Sequence, residues 1–331
     1  MPVQPKTDLV ELGNGLFAYI QEDGSWGWSN SGLIVSEGQS LMVDTLFTGY
    51  LTRDLLDAYR RVAPEAAEID VLVNTHSNGD HTFGNYVVET ARIVASTRCA
   101  QEMAERPAEV FSRNIADWRN QGAHWEFLHE VMGARFDFSD IVYSPPNELF
   151  DGQKTLMLGG RKLELREFGP AHTRGDIVIH IPDAKTVFVG DLLFSGSHPM
   201  IWDGSIANWI RACDEILTWD VDVVVPGHGP VGDKTQLAGM RAYFVDLMEA
   251  AQERYSGGQP WQDAAAEIGL SKYDSWLDRE RVVGNVAAAY RELSGGAIQP
   301  AREAVVTEMI KFHRGGECAH GDECGCHDRK V

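Results

Sequence analysis

The feature that most constrains this chain is a short polar turn, Thr75–His81, that directly follows the apolar run Val71–Val73. Within it, His76, Asp80 and His81 provide two imidazoles and a carboxylate, a ligand set that suits zinc or iron. Valine and leucine favour a strand before the turn, and a glycine inside it lets the backbone bend sharply. The segment therefore predicts a metal-binding turn at the end of a strand.

Three later apolar runs end in the same kind of side chain. Each is followed closely by a histidine or an aspartate, namely His172, Asp191 and His228. Loops at strand ends can present such side chains at a common edge of a sheet. Together with the first turn they suffice for two metal ions that share one carboxylate.

The local sequences THSNGDH, GPAHTRGDIV, FVGDLLF and VVPGHGP, in this order, resemble those of the metallo-β-lactamase fold hydrolases, close to the glyoxalase II and lactonase branches. The earlier segments GLIV and LMVDT are similar to the first hairpin of that superfamily. The resemblance implies the α/β class and an αββα four-layer sandwich. In that architecture two mixed β-sheets lie face to face, helices cover them, and the metal site lies at one edge.

The resemblance also implies which side chains bind each metal. A first ion would be bound by His76, Asn78 and His172. A second would be bound by Asp80, His81 and His228. Asp191 would bridge the two ions.

Asn78 departs from the family pattern, which usually has a second histidine at this position. An amide oxygen is a weaker zinc ligand than imidazole, so the first site would be looser or would prefer a metal that favours oxygen. The alternative is that Asn78 only shapes the turn, with its side chain bonded to its own backbone. The sequence favours neither interpretation.

Composition agrees with an enzyme that acts on small molecules. Hydrophobic residues make up 44% of the 331 residues, enough for a sizeable core. Apolar runs fall short of the ~18 residues of a membrane span, and the N-terminal residues lack a secretory signal, so we expect a cytoplasmic protein without a membrane partner. A net charge of -20 argues against nucleic acid and weakly favours a neutral or cationic substrate.

The domain organisation is predicted as one catalytic unit with additions. Residues 1–235 form the metallo-β-lactamase-like domain, with a helical insertion at about 99–148 that is expected to form a wall of the substrate site. The alternative is that it only buttresses the sandwich. Residues 236–313 are expected to form a C-terminal helical extension, which is also a candidate homodimer surface.

The chain ends in a Cys/His-rich tail, residues 314–331. Its thiols and imidazoles could bind a metal, but they lack the paired spacing of zinc ribbons. We therefore expect a flexible segment. The residues concerned are Cys318, His320, Cys324, Cys326 and His327.

Aromatic residues near the motifs indicate the character of the substrate pocket. Trp26 and Trp28 lie on the glycine-rich loop of the first hairpin, and His198 and Trp202 lie on the loop after Asp191. If these loops border the metal site, they suit a small molecule with an apolar or aromatic group. The alternatives are that Trp202 belongs to the core, that Trp26 covers a sheet edge, and that His198 is an exposed loop residue.

The predicted chemistry is hydrolysis. One or two Zn²⁺ ions, with iron or manganese as alternatives, would lower the pKa of a bound water to about 7. The resulting hydroxide would cleave an ester, lactone, thioester or amide carbonyl, and Asp80 would both bind metal and orient the nucleophile. Asp44 and Asp176 are predicted to hold ligand imidazoles in place. A di-iron oxidoreductase and a non-catalytic metal-binding protein are the alternative functions.

Overall fold

The computed structural model describes residues 5–88 and 90–319, with side chains as far as residue 315. In these ranges twelve strands form two sheets. The strands are β1 (Thr7–Gly13), β2 (Leu16–Gln21), β3 (Ser31–Ser36), β4 (Gln39–Val43), β5 (Val71–Val73), β6 (Arg92–Ser96), β7 (Glu148–Phe150), β8 (Gln153–Leu158), β9 (Arg161–Glu167), β10 (Ile177–Ile181), β11 (Thr186–Phe194) and β12 (Val223–His228).

Both sheets are mixed. The first has seven strands in the order β1 to β7, antiparallel as far as β4 and parallel from β4 to β7. The second has five strands in the order β12-β11-β10-β9-β8, and only the β11–β12 pair is parallel. The predicted fold class, two mixed sheets with helices and a helical C-terminal part, is confirmed.

The described ranges contain ten α-helices. They are α1 (Gly49–Val62), α2 (Gly79–Thr82), α3 (Thr97–Glu105), α4 (Ala108–Ala116), α5 (Ala123–Leu128), α6 (Ile206–Leu217), α7 (Lys234–Ser256), α8 (Trp261–Glu267), α9 (Arg281–Leu293) and α10 (Arg302–Ala319). Helices α3 to α5 lie between β6 and β7, and α7 to α10 follow β12. In the described ranges, no helix is both long enough and apolar enough to cross a membrane.

The structure bears on the predicted tail only at its start. Helix α10 continues beyond the expected end of the extension at residue 313 and ends at Ala319. Residues 320–331 lie outside the described residues, as does the side chain of Cys318. The expectation of a flexible tail therefore stays a prediction.

Alternating side chains divide the core into layers. On β2, Leu16 and Ala18 belong to the apolar cluster between the two sheets, whereas Phe17 and Tyr19 belong to the cluster under the helices. This period of two is what a strand buried on both faces requires. The result is one apolar layer between the sheets and further apolar layers beneath the helices.

Helix α1 covers the first sheet with one apolar face. Thr48 precedes it in extended conformation, and its side chain accepts a hydrogen bond from the Leu51 backbone N–H, which satisfies a donor at the helix start. Leu51, Leu55 and Tyr59 recur at intervals of four residues and are buried. The Tyr59 ring packs edge-on against Tyr19 of β2, with the ring centroids 6.3 Å apart.

Helix α6 covers the second sheet, and Trp209 is its central contact. The Trp209 side chain is fully buried, its Nε1–H donates to the Leu192 carbonyl at 3.0 Å, and its ring centroid lies 4.6 Å from that of Phe244 in α7. One side chain thus joins β11, α6 and α7.

We predict that Trp209→Ala lowers the free energy of unfolding by about 3–5 kcal/mol, because it leaves a large cavity and an unpaired carbonyl. Arg211→Ala on the exposed face of the same helix is the matched control and is expected to change stability by less than about 0.5 kcal/mol. Urea denaturation measures both midpoints. Equal midpoint shifts for the two variants would contradict a special contribution of Trp209 to stability.

Candidate metal centre

The candidate ligands come from five places in the chain that meet at one edge of the two sheets. His76 lies in the turn after β5, and His81 lies in the short helix α2. His172 lies in the loop between β9 and β10, and His228 is the last residue of β12. Asp191 lies inside β11 rather than at its end, because the strand continues to Phe194.

The backbone next to Asp191 is shaped for close approach. Gly190 has a φ of +51°, and a Cβ atom there would lie 2.7 Å from Thr75 Oγ1. Pairing between β11 and β12 is irregular on both sides of Gly190. Only glycine fits this position without strain, and its absence of a side chain lets β11 reach the turn that carries His76.

The Asp191 carboxylate lies among four imidazoles. Its Oδ2 is 3.6 Å from His76 Nε2, 3.3 Å from His172 Nε2 and 3.4 Å from His228 Nε2, while its Oδ1 is 3.2 Å from His81 Nε2. All five side chains are buried. The four ring nitrogens therefore converge on one carboxylate, as expected for a bridging ligand.

The electrostatics of this cluster are extreme. Burial raises the pKa of the Asp191 carboxyl, but the surrounding imidazoles overcome that effect and hold its pKa well below the usual range. Burial lowers the pKa of His76 well below its ordinary value, against the attraction of Asp191. Burial also lowers the pKa of His81, but Asp191 and Asp44 outweigh it and raise the pKa well above the ordinary value.

The donor set fits divalent metal ions. His76 Nε2 is buried without a hydrogen-bond partner among the described residues. Such atoms are costly to bury unless something binds them. Donor atoms lie within 4.8 Å of one another in three groups: Asp44, His76 and His81; His76, His172 and Asp191; and Asp80, His81 and His228. Buried imidazole nitrogens with carboxylate oxygens are the ligands that zinc prefers.

Asn78 and Asp80 both extend toward this cluster. The Asn78 amide nitrogen lies 2.8 Å from His172 Nε2, and the Asn78 side chain does not cap the helix that follows it. Its side chain therefore faces the candidate ligands rather than its own backbone. Asp80 Oδ2 lies 3.4 Å from His228 Nε2, and its side chain retains 14% exposure.

The Asp44 carboxylate contacts the ring of the candidate ligand His81. Its Oδ2 lies 3.0 Å from His81 Nδ1, and its two oxygens also accept hydrogen bonds from the Thr75 backbone N–H and hydroxyl, each at 2.7 Å. Burial raises the pKa of Asp44, and the hydrogen bond from His81 opposes that rise. Since a carboxylate accepts, the Nδ1–H of His81 donates this hydrogen bond, which directs Nε2 at the cluster.

Asp176 has a different role from the predicted one. Its carboxylate accepts hydrogen bonds from the backbone N–H groups of Ala171 and Thr173 and from the Thr173 hydroxyl. It therefore shapes the turn around His172 and does not touch the ring. The ring is oriented by the Met200 carbonyl, 2.6 Å from His172 Nδ1.

A cavity of about 420 Å³ opens over the candidate ligands. Asp80, His172, Asp191 and His228 belong both to the ligand cluster and to the cavity lining. Seven aromatic side chains also line it, namely Trp26, Phe47, Phe83, Phe111, Trp125, Phe194 and Trp202. The arrangement places a metal-ligand group at the base of an apolar chamber.

Of the residues predicted to form the substrate pocket, the structure places Trp26 and Trp202 in the cavity lining. Trp28 lies outside it. Its ring packs against Phe136 at 4.3 Å, and its carbonyl lies 2.9 Å from His228 Nδ1. The contribution of Trp28 is thus to orient a candidate ligand through its backbone.

His198 also lies outside the cavity lining, and it is not an exposed loop residue either. It is 1% exposed, and its Nδ1 lies 3.2 Å from the Tyr243 hydroxyl. Burial lowers the pKa of its imidazole to about 4. The loop turns this ring toward the C-terminal helices because its backbone N–H donates to the Leu277 carbonyl.

Both the insertion and the extension contribute to the cavity. The helices between β6 and β7 supply Phe111, Trp125 and Leu128, and the C-terminal helices supply Arg281 and Arg302. These arginines were not predicted, because single arginines in helical sequence carry no motif.

The comparisons with known proteins agree with the geometry. The family model described as "Metallo-beta-lactamase superfamily" matches residues 24–228. The human acyl-coenzyme A thioesterase MBLAC2 is 28% identical over 233 residues, which cover 66% of this chain and 79% of that protein. The metallo-beta-lactamase type 2 of Bacillus cereus is 23% identical over 227 residues, covering 66% of this chain and 73% of that protein.

A solved structure extends the likeness to the C-terminal helices. The sec-alkylsulfatase Pisa1 from Pseudomonas sp. superposes with a TM-score of 0.66 at 18% identity, covering 95% of this chain and 58% of that one. At this identity the likeness concerns the fold alone. The family match, which spans more than half of the chain, and the ligand geometry agree: this chain belongs to the metallo-β-lactamase superfamily.

Proposed function

We propose that this protein is a zinc-dependent hydrolase that cleaves an ester, lactone, thioester or amide carbonyl in a small molecule with an apolar or aromatic acyl group. One observation carries the proposal. The candidate ligands Asp80, His172 and His228 face the same cavity as a wall of aromatic side chains. A substrate held by that wall would place its reactive group beside the metal centre.

The family resemblance assigns the ligands. One ion would be bound by His76, Asn78 and His172, a second by Asp80, His81 and His228, and Asp191 would be shared by both. When bound, zinc acts as a Lewis acid and makes a water ligand acidic enough to serve as a nucleophile near neutral pH. Iron or manganese would suit the oxygen of Asn78 better than zinc does.

The protein's own side chains position the reaction. The Asp80 carboxylate lies 3.4 Å from His228 Nε2 and is partly exposed to the cavity. It can therefore orient the attacking water and accept its proton. Asp44 and the carbonyls of Trp28 and Met200 keep the imidazole rings fixed, which keeps the site preorganised.

The cavity favours acyl groups of moderate size. Its volume of about 420 Å³ lies at the lower end of ordinary ligand pockets. Aromatic walls exclude water and bury apolar surface, which stabilises a bound acyl chain. Thioesters are the first substrates to examine, since the human relative is named an acyl-coenzyme A thioesterase.

The alternative is a di-iron oxidoreductase, since Asn78, whose amide nitrogen lies 2.8 Å from His172 Nε2, extends toward the candidate ligands. This places an oxygen-bearing side chain where the family usually has an imidazole. Metal analysis of protein purified without added metal separates the two functions. Iron with a visible absorption band supports redox chemistry, whereas colourless zinc supports hydrolysis.

We predict that Asp80→Ala loses about a hundredfold or more in turnover and also binds less zinc, because it removes both a ligand and a proton acceptor. Chromogenic esters, lactones and thioesters, assayed with and without chelator, provide the measurement. Asp54→Ala, an exposed carboxylate on α1, is the matched control and is expected to retain activity. Full zinc content with full activity in Asp80→Ala would overturn the assignment.

Asn78→His is expected to increase zinc bound per chain when zinc is limiting, since imidazole binds zinc more strongly than an amide. Equilibrium dialysis followed by metal analysis measures occupancy. Asn120→His adds an imidazole at an exposed position and is the control. Equal and tight occupancy of two sites in the unaltered protein would show that Asn78 does not weaken the first site.

Asp44→Asn is expected to weaken zinc affinity by about tenfold, because it removes the negative charge that holds His81. Asparagine tolerates the φ of +59° at this position, so the backbone should keep its path. Competition with a chromogenic chelator measures the affinity, with Asp54→Asn as control. An unchanged affinity would mean that Asp44 serves folding alone.

A further inference from the structure

Four side chains of the cavity lining form a group that the hydrolytic mechanism does not use. Arg106 follows α3, His124 lies in α5, Trp202 lies in the loop after β11, and Arg302 begins α10. All four line the cavity. We refer to Arg106, His124, Trp202 and Arg302 as the guanidinium cluster.

The guanidinium cluster contains two arginines, and among the described residues only one of them forms an ion pair. Arg106 forms an ion pair with Asp203 at 2.6 Å. The Arg302 guanidinium lies over the Trp202 ring, 4.2 Å from its centroid, and forms no ion pair or side-chain hydrogen bond with another described residue. Stacking on an aromatic face leaves the edge of the guanidinium, with its N–H donors, available to a ligand.

The other charged side chains of the lining, outside the candidate metal ligands, are already paired. Glu105 is 2.5 Å from Arg174, and Arg281 is 3.0 Å from Asp278. In the described part of the chain, Arg302 is therefore the cavity-lining charge that lacks a counter-charge of its own. Among the charged residues of the lining, Arg302 is therefore expected to contribute most to the electrostatic attraction of a ligand.

Two further properties favour a ligand at this position. Burial of the guanidinium, together with the nearby charge of Arg106, lowers the pKa of Arg302 to about 10, so it remains protonated at neutral pH. Burial also lowers the pKa of His124 to about 4, with Arg302 and Arg106 adding to the effect. The His124 Nδ1 atom is buried without a hydrogen-bond partner among the described residues. An unpaired buried nitrogen is costly unless a ligand compensates it.

We propose that the guanidinium cluster binds an anionic group of the substrate, a carboxylate, phosphate or sulfate, at the end remote from the scissile carbonyl. The proposal rests on the proposed hydrolytic function and adds a substrate class to it. Arginine suits such groups because its planar N–H donors match two oxygens at once.

The net charge of -20 weakly favours a neutral or cationic substrate, but the cavity favours the opposite. Exposed carboxylates more than about 8 Å away are screened at physiological ionic strength, whereas an arginine in direct contact with a ligand is screened much less. The local charge therefore decides the substrate. Because Arg302 lies beyond residues 24–228, the C-terminal helices supply this recognition to the family domain.

Calorimetric titration of the zinc-loaded full chain tests the anion site without any turnover. The probes are hexyl phosphate, hexyl sulfate and hexanoate, with hexan-1-ol as the neutral counterpart. We expect at least one anion to bind more tightly than the alcohol. Arg302→Gln should lower the affinity for that anion by about tenfold. Arg302→Lys should restore part of the affinity, and the tightest anion identifies the group that the substrate carries.

Arg60→Gln, which removes an exposed cation on α1, is the matched control and should leave anion binding unchanged. Anion binding that is equal in Arg302→Gln and the unaltered protein would overturn the proposal, because the anion would then bind elsewhere, for example at the metal ions. Equal weakening by Arg60→Gln would also overturn it, since that result reflects overall charge. The proposal would also fail if hexan-1-ol bound as tightly as every anion.

Hydrolysis provides the second readout. The KM of p-nitrophenyl hexanoate is compared with that of the p-nitrophenyl monoester of adipic acid, which adds a terminal carboxylate. Arg302→Gln should raise the KM of the adipate ester about tenfold and leave that of the hexanoate ester unchanged. If no carbonyl substrate is cleaved, the hydrolytic function fails, while the calorimetric result still decides whether the anion site exists.

Discussion

The contact on which the rest of the site depends is the Asp191 carboxylate among four buried imidazoles. Its oxygens lie 3.2–3.6 Å from the Nε2 atoms of His76, His81, His172 and His228. Such a concentration of polar atoms is stable only where the surrounding structure is rigid and its charges are balanced. The fully buried strand β11 provides that rigidity, and Asp44, together with backbone carbonyls, fixes the rings from behind.

The sequence was sufficient for the fold class and for the group of side chains that meet at the sheet edge. His228 ends the apolar strand β12, and His172 lies in the loop after β9, whose residues alternate between buried leucines and charged side chains. The ends of strands in stacked sheets meet at one edge, so their convergence follows once the family resemblance supplies the topology. Asp191 was identified correctly as part of the cluster although it lies within β11. Its position inside the strand depends on Gly190 and on irregular pairing, which a hydrophobic pattern does not reveal.

The misplaced residues share a physical cause. Asp176 binds backbone N–H groups, the His172 ring is oriented by the Met200 carbonyl, and His198 turns toward the C-terminal helices. Backbone carbonyls are present at every residue, so which one accepts a given N–H depends on the tertiary path of the chain. Loop residues that follow a motif by similar distances, such as His198 and Trp202, therefore reach opposite environments.

The C-terminal helices form part of the cavity wall. Glu280, next to the start of α9, accepts a hydrogen bond from Trp26 Nε1 at 2.7 Å, and Arg281 lies over the Trp26 ring. This ties the N-terminal loop of the site to the extension, so a shift of α9 would move an aromatic wall. Arg302 at the start of α10 adds a charge that the acidic composition of the chain does not suggest. Under the proposed function, substrate selection would depend on the position of a few cations relative to the candidate metal ligands. Net charge averages over the whole surface and carries no information about that position.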